Sequence, residues 1–74
     1  MSRTEIQKRA AATRTKVIER LARGETGKEI AAALGISRRA LRWRIGEIMQ
    51  ANGLSGPGDE RRLVARAARG ELRP

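Results

Sequence analysis

The 74-residue chain has no cysteine, histidine, tyrosine or phenylalanine, and its single aromatic side chain is Trp43. Without cysteine there is neither disulfide nor thiolate, and without histidine the commonest nitrogen ligand for a transition metal is missing. The same absences remove the usual nucleophiles and proton-transfer groups. The eight acidic residues fall mostly at helix caps or on charged faces with no clustered pair, so no catalytic residue, metal site or cofactor is expected. The stretch GETGK, Gly24 to Lys28, superficially resembles a phosphate-binding loop but lacks its spacing and its preceding strand, and it reads as a turn and cap. No apolar run approaches the ~20 residues of a membrane span, and no uninterrupted apolar core follows the amino-terminal charges. The expectation is a cytoplasmic, nucleoid-associated protein with no membrane partner.

What the chain does contain is aliphatic and basic. Alanine, leucine, isoleucine and valine supply nearly all its apolar content, a balance that favours helices over strands. A chain of this length buries only about 60% of the surface its unfolded form exposes, so one small all-α domain is its limit. Seventeen Lys and Arg against eight Asp and Glu leave a net charge of +9. Arginine far outnumbers lysine, and its planar fork suits bidentate bonds to phosphates and guanine edges, so a polyanion is the expected partner.

Four helices are predicted. Ile6, Ala10, Thr13, Val17 and Leu21 recur every three or four residues in a stretch free of Gly and Pro, which makes one face of a long first helix apolar or small. Thr4 with Gln7 offers a capping box for it. Its amino-terminal part, residues 1–12, is thin in apolar side chains and reads as a basic arm or a first-helix extension. Thr26 and Glu29 form a second capping box for a helix over residues 27–34, which Gly35 ends. Ser37 caps a third helix that runs to about Ala51, where Asn52-Gly53 stops it. Residues 54–58 read as a loop, Asp59 as the cap of a fourth helix ending at Gly70, and residues 71–74 as a tail.

Residues 13–53 therefore carry two helices joined by a short turn containing Gly, the helix-turn-helix unit whose second helix enters the major groove of DNA. Stepping the third helix at ~100° per residue puts Leu41, Ile45 and Ile48 in one ~60° sector, the side to be packed. Arg39, Arg42, Trp43 and Gly46 fall opposite, with Arg38 at the flank. Arg38, Arg39, Arg42 and Trp43 are the candidate base contacts, since an arginine fork matches the O6 and N7 acceptors of guanine. A lone tryptophan on the outer face calls for contact with a thymine methyl or with the sugar-phosphate backbone through its N–H, unless the last helix or the arm covers it. Arg14, Lys16, Thr26, Lys28, Ser37 and Arg44 are the candidate phosphate contacts, which position rather than specify.

The segment VIERLARGETGKEIAAALGISRRALRWRIGEIMQANG, within residues 16–53, resembles the DNA-binding domain of the LuxR/GerE class of bacterial regulators. The register is carried by Ala22, Gly24, Lys28 to Ala31, Leu34, Ile36-Ser37 and Ile48. RRLVARAARGEL resembles that family's fourth helix, which pairs subunits, and this implies a homodimer on a two-fold symmetric site through Leu63, Val64 and Ala67; read from the residues alone, the same stripe could instead close the core of one subunit. Ala40-Leu41 and Arg44 stand where the family has Thr-Val and His, so its sequence preference does not carry over. AAALGISRRALRWRI is also similar to the Fis-type helix-turn-helix. Both resemblances imply the same groove-facing helix, and the leading reading is a transcriptional regulator of bacterial or phage origin that binds double-stranded DNA. A DNA-packaging or recombination accessory protein with the same reading unit, or a protein-interaction module contacting RNA polymerase, are the alternatives.

Overall fold

The computed structural model describes residues 2–56 and 58–74; Pro57, within the expected 54–58 loop, and Met1 lie outside them. Four helices are present, α1 (Arg3–Ala22), α2 (Gly27–Leu34), α3 (Arg38–Ala51) and α4 (Asp59–Ala68), and no strand occurs among the described residues. The fold is all-α, as the composition implies.

The first helix starts earlier than its expected Thr4 cap. Ser2 accepts the amide of Glu5 at 3.3 Å, because Ser2-Arg3-Thr4-Glu5 already has the spacing of a cap and its third residue two positions upstream. From there α1 is continuous, yet its first buried residue is Val17. Ile6, expected on the packed face, is 54% exposed and lines an open recess with Arg14, Arg44 and Glu47 in place of the core.

The turn between α2 and α3 is built by local bonds. Gly35 has φ +65°, a left-handed conformation that L side chains rarely adopt. It lets the Ile36 amide donate to the Ala31 carbonyl at 3.0 Å, the six-to-one bond that satisfies a helix end. The Ser37 hydroxyl then accepts from the Ala40 amide at 3.0 Å and starts α3, with only three residues between the two helices.

One aliphatic core joins all four helices: Val17 and Leu21 of α1, Ile30 and Ala31 of α2, Leu41 and Ile48 of α3, Leu63 and Ala67 of α4, and Leu54 from the connection. Ile45 packs against this core from its margin, so the side of α3 expected to be packed is the packed side. Leu54, read from sequence as loop, is buried for a definable reason. Gly53 at φ +70° lets the Leu54 amide bond the Met49 carbonyl at 2.8 Å, and an apolar residue at that position folds back over the helix end.

One expectation about α4 is corrected. Asp59 is its first helical residue and not its cap; the carboxylate accepts from the Gly56 amide at 2.8 Å, while Gly58 holds the cap position with no side chain to offer. Of the three residues expected to pair subunits, Leu63 and Ala67 are buried inside the single chain. Helix α4 lies against α1 and spends its apolar stripe there, so only Val64, 42% exposed, faces outward. The tail is docked as well: Asn52 exchanges two hydrogen bonds with Arg73, Leu72 packs on the core, and the Arg66 guanidinium donates to the Asn52 carbonyl at 3.1 Å.

Candidate nucleic-acid interface

Once Leu41, Ile45 and Ile48 are turned inward, helical geometry fixes what α3 presents outward. Arg39, Arg42, Trp43, Gly46 and Gln50 are all exposed. Trp43 is 70% exposed; neither α4 nor the amino-terminal half of α1 covers it. Gly46 has nothing within 4 Å of where a Cβ would stand, so the helix backbone is bare in the middle of this face. No acidic residue occupies the first turn of α3.

The arginines of the domain divide into two groups. Arg20 bonds Glu25 at 3.0 Å, Arg14 bonds Glu47 at 3.4 Å, and Arg44 bonds the other oxygen of the same Glu47 carboxylate. Arg62 pairs with Asp59 and Arg69 with Glu71. Among the described residues, no carboxylate lies within ion-pair distance of Arg38, Arg39 or Arg42. The arginines on and beside the outer face of α3 are therefore uncompensated among the described residues, as are Arg3, Arg9, Arg61, Arg66 and Arg73 elsewhere in the chain. A surface ion pair contributes little to stability, but the lack of one leaves the full charge directed at solvent.

The expected contacts are not all in one place. Arg39, Arg42 and Trp43 line one shallow concavity together with Ser37 and Arg44. Arg38 lies on the other flank, in a recess between α2, α3 and α4 with Thr26, Gly27 and Glu60. It stands apart from the Trp43 side and closer to the start of α2. Lys16 and Lys28 are exposed and take part in no ion pair among the described residues. Arg14 and Arg44 are half-buried and share Glu47, so each reaches an outside phosphate only in competition with that carboxylate. Sequence reading missed Glu47; its spacing of three from Arg44 was visible, whereas Arg14 comes from a different helix.

Two hydroxyls serve the backbone first. Thr26 accepts from the Glu29 amide at 3.2 Å, and its own amide donates to the Glu29 carboxylate at 3.0 Å. The Thr26 amide foremost, and after it the Thr26 side chain, hold the Glu29 carboxyl below its ordinary pKa because hydrogen bonds to the carboxylate favour its charged form. Ser37 accepts from Ala40 in the same way. The Ser37 hydroxyl retains its own hydrogen for an acceptor such as a phosphate oxygen.

Among the described residues there is no group of acidic side chains able to hold a metal ion, and no helix is long and apolar enough to cross a membrane. No curated protein and no solved structure matches the chain. The model of the homeodomain-like domain matches residues 4–57, from the first turn of α1 through the whole of α2 and α3. The family that matches is not the LuxR/GerE class that the sequence resembled, and the chain belongs to the homeodomain-like family of helix-turn-helix domains.

Proposed function

We propose that this domain binds double-stranded DNA in a sequence-selective way, with the outer face of α3 in the major groove, and that it acts as a transcriptional regulator. The observation that carries the reading is the concentration of unpaired charge at the start of α3. Arg38, Arg39 and Arg42 all lack a carboxylate partner among the described residues, are all exposed, and have no acidic residue beside them in the first turn of that helix. Arg39 and Arg42 are placed to take guanine edges, because the bidentate fork is matched there by O6 and N7. Lys16, Lys28, Thr26 and Ser37 hold the backbone on either side, and Arg38 does so from the flank near α2.

The test is enrichment of duplexes from a random-sequence pool, followed by binding measurements with the wild type, Arg39→Ala and Arg42→Ala at two salt concentrations. Each variant is expected to lose about 1–3 kcal/mol and to relax selectivity at one base pair. The same series with Lys28→Ala should weaken all sequences alike and flatten the salt slope by about one. Equal binding to every duplex, or variants that bind as the wild type does, would reject the reading and move the exposed Trp43 to a protein-docking role.

A further inference from the structure

Trp43 is surrounded by a surface that does not suit an apolar protein partner. Its ring is flanked by two shallow concavities, one lined by Ser37 and Arg39 and the other by Gly46, Glu47 and Gln50, with Arg42 common to both. Arg39 and Arg42, both without a carboxylate partner among the described residues, stand on this same face. Burying them against an apolar surface would strand two charges, whereas a nucleic acid supplies acceptors for both.

We propose that Trp43 reads the 5-methyl group of a pyrimidine, thymine in unmodified DNA, within about two base pairs of the guanine taken by Arg39. The inference rests on the DNA reading above and adds the chemical group that the tryptophan recognises. An indole has one N–H donor and no acceptor, so its ring surface cannot satisfy the donors and acceptors that line a major groove. Pressed against them, it would leave them desolvated and unpaired. The thymine methyl is the apolar group that the major groove displays. Arg39 lies four residues, about 6 Å of helix rise, before Trp43, which spans about two base-pair steps of ~3.4 Å. The bare backbone at Gly46 allows the groove wall to come close beside the ring. Because the contact is with the carbon on C5, 5-methylcytosine should satisfy Trp43 as thymine does.

The probe is a duplex enriched from the random pool, with each thymine replaced in turn by deoxyuridine, which removes only the methyl group. For the wild type, one thymine per bound domain should lose about fourfold in affinity on replacement, the value of one buried carbon at about 0.8 kcal/mol. Trp43→Ala, whose truncation lies outside the core, should bind the thymine and deoxyuridine duplexes equally. Placing 5-methylcytosine paired with guanine at that position should bind about fourfold tighter than cytosine there. If no thymine is sensitive, or if the sensitivity survives in Trp43→Ala, the inference is overturned while the DNA reading stands. If no sequence is enriched at all, the DNA reading itself falls.

Discussion

Asn52 and Arg73 hold one another by a reciprocal pair of hydrogen bonds. The Asn52 Nδ2 donates to the Arg73 carbonyl and the Arg73 amide donates to the Asn52 Oδ1, each at 2.9 Å. Asn52 also donates to the Ile48 carbonyl at 2.8 Å and accepts Arg66 on its own carbonyl, so one residue ties the end of α3 to α4 and to the carboxyl-terminal tail. Asn52→Ala is expected to cost about 1–2 kcal/mol in denaturant unfolding, since each net hydrogen bond is worth about 1 kcal/mol. Amide exchange at Arg73 should rise sharply, while DNA affinity stays within about twofold because these bonds lie away from Arg39 and Arg42.

Glu47 should act as a brake on binding. Its two oxygens take Arg14 and Arg44, and Glu47→Gln releases both guanidinium groups without changing the shape of the side chain. The expected result is tighter DNA binding at low salt and a slope of log K against log salt steeper by up to about two. Folding stability should fall by no more than about 1 kcal/mol, because ion pairs still partly open to solvent contribute little. A variant with unchanged salt slope would show that Arg14 and Arg44 do not reach phosphate.

The Thr26–Glu29 capping box makes α2 sensitive to acid. The Glu29 carboxyl is held below its ordinary pKa by Thr26, so its contribution to stability is present above the unfolded value and is lost as pH falls through the folded one. Thermal melts from neutral pH downward should therefore show a falling midpoint across the carboxylate range, with part of that slope missing in Glu29→Gln. Thr26→Ala removes the cap itself and should cost about 1 kcal/mol at neutral pH.

The free protein is expected to be a monomer. Leu63 and Ala67 are buried within one chain, and a second copy could not use them without opening the core. Light scattering should give the mass of a single chain, and Val64→Asp should leave that mass and the stability unchanged. Leu63→Ala should instead destabilise the monomer by about 2–5 kcal/mol. A dimer disrupted by Val64→Asp would restore the pairing role that sequence resemblance implied for α4.

Much of this arrangement was legible in the sequence, and the parts that were not share a cause. Thr26, Gly35 and Ser37 act within a few residues of themselves, so their roles in capping and turning can be read from spacing alone. The inward side of α3 and the exposure of Trp43 likewise follow from one helix's periodicity. Leu63 and Ala67 could not be assigned between core and partner, because the stripe on α4 says that something covers it and not what. Only the position of α4 against α1 answers that. Glu47 escaped notice because its second partner, Arg14, is 33 residues away. Leu54 was legible in principle: an apolar residue directly after a helix-ending glycine folds over that helix end.

The surface position of the only aromatic ring changes how the molecule can be watched. Trp43 is already in water when the chain is folded, so its ultraviolet emission should barely shift on denaturation, and folding has to be followed through helix content. The same emission becomes a selective reporter of the outer face of α3. Iodide, drawn in by Arg39 and Arg42, should quench it more strongly, relative to neutral acrylamide, than it quenches free indole. That excess should vanish when an occupant covers the ring.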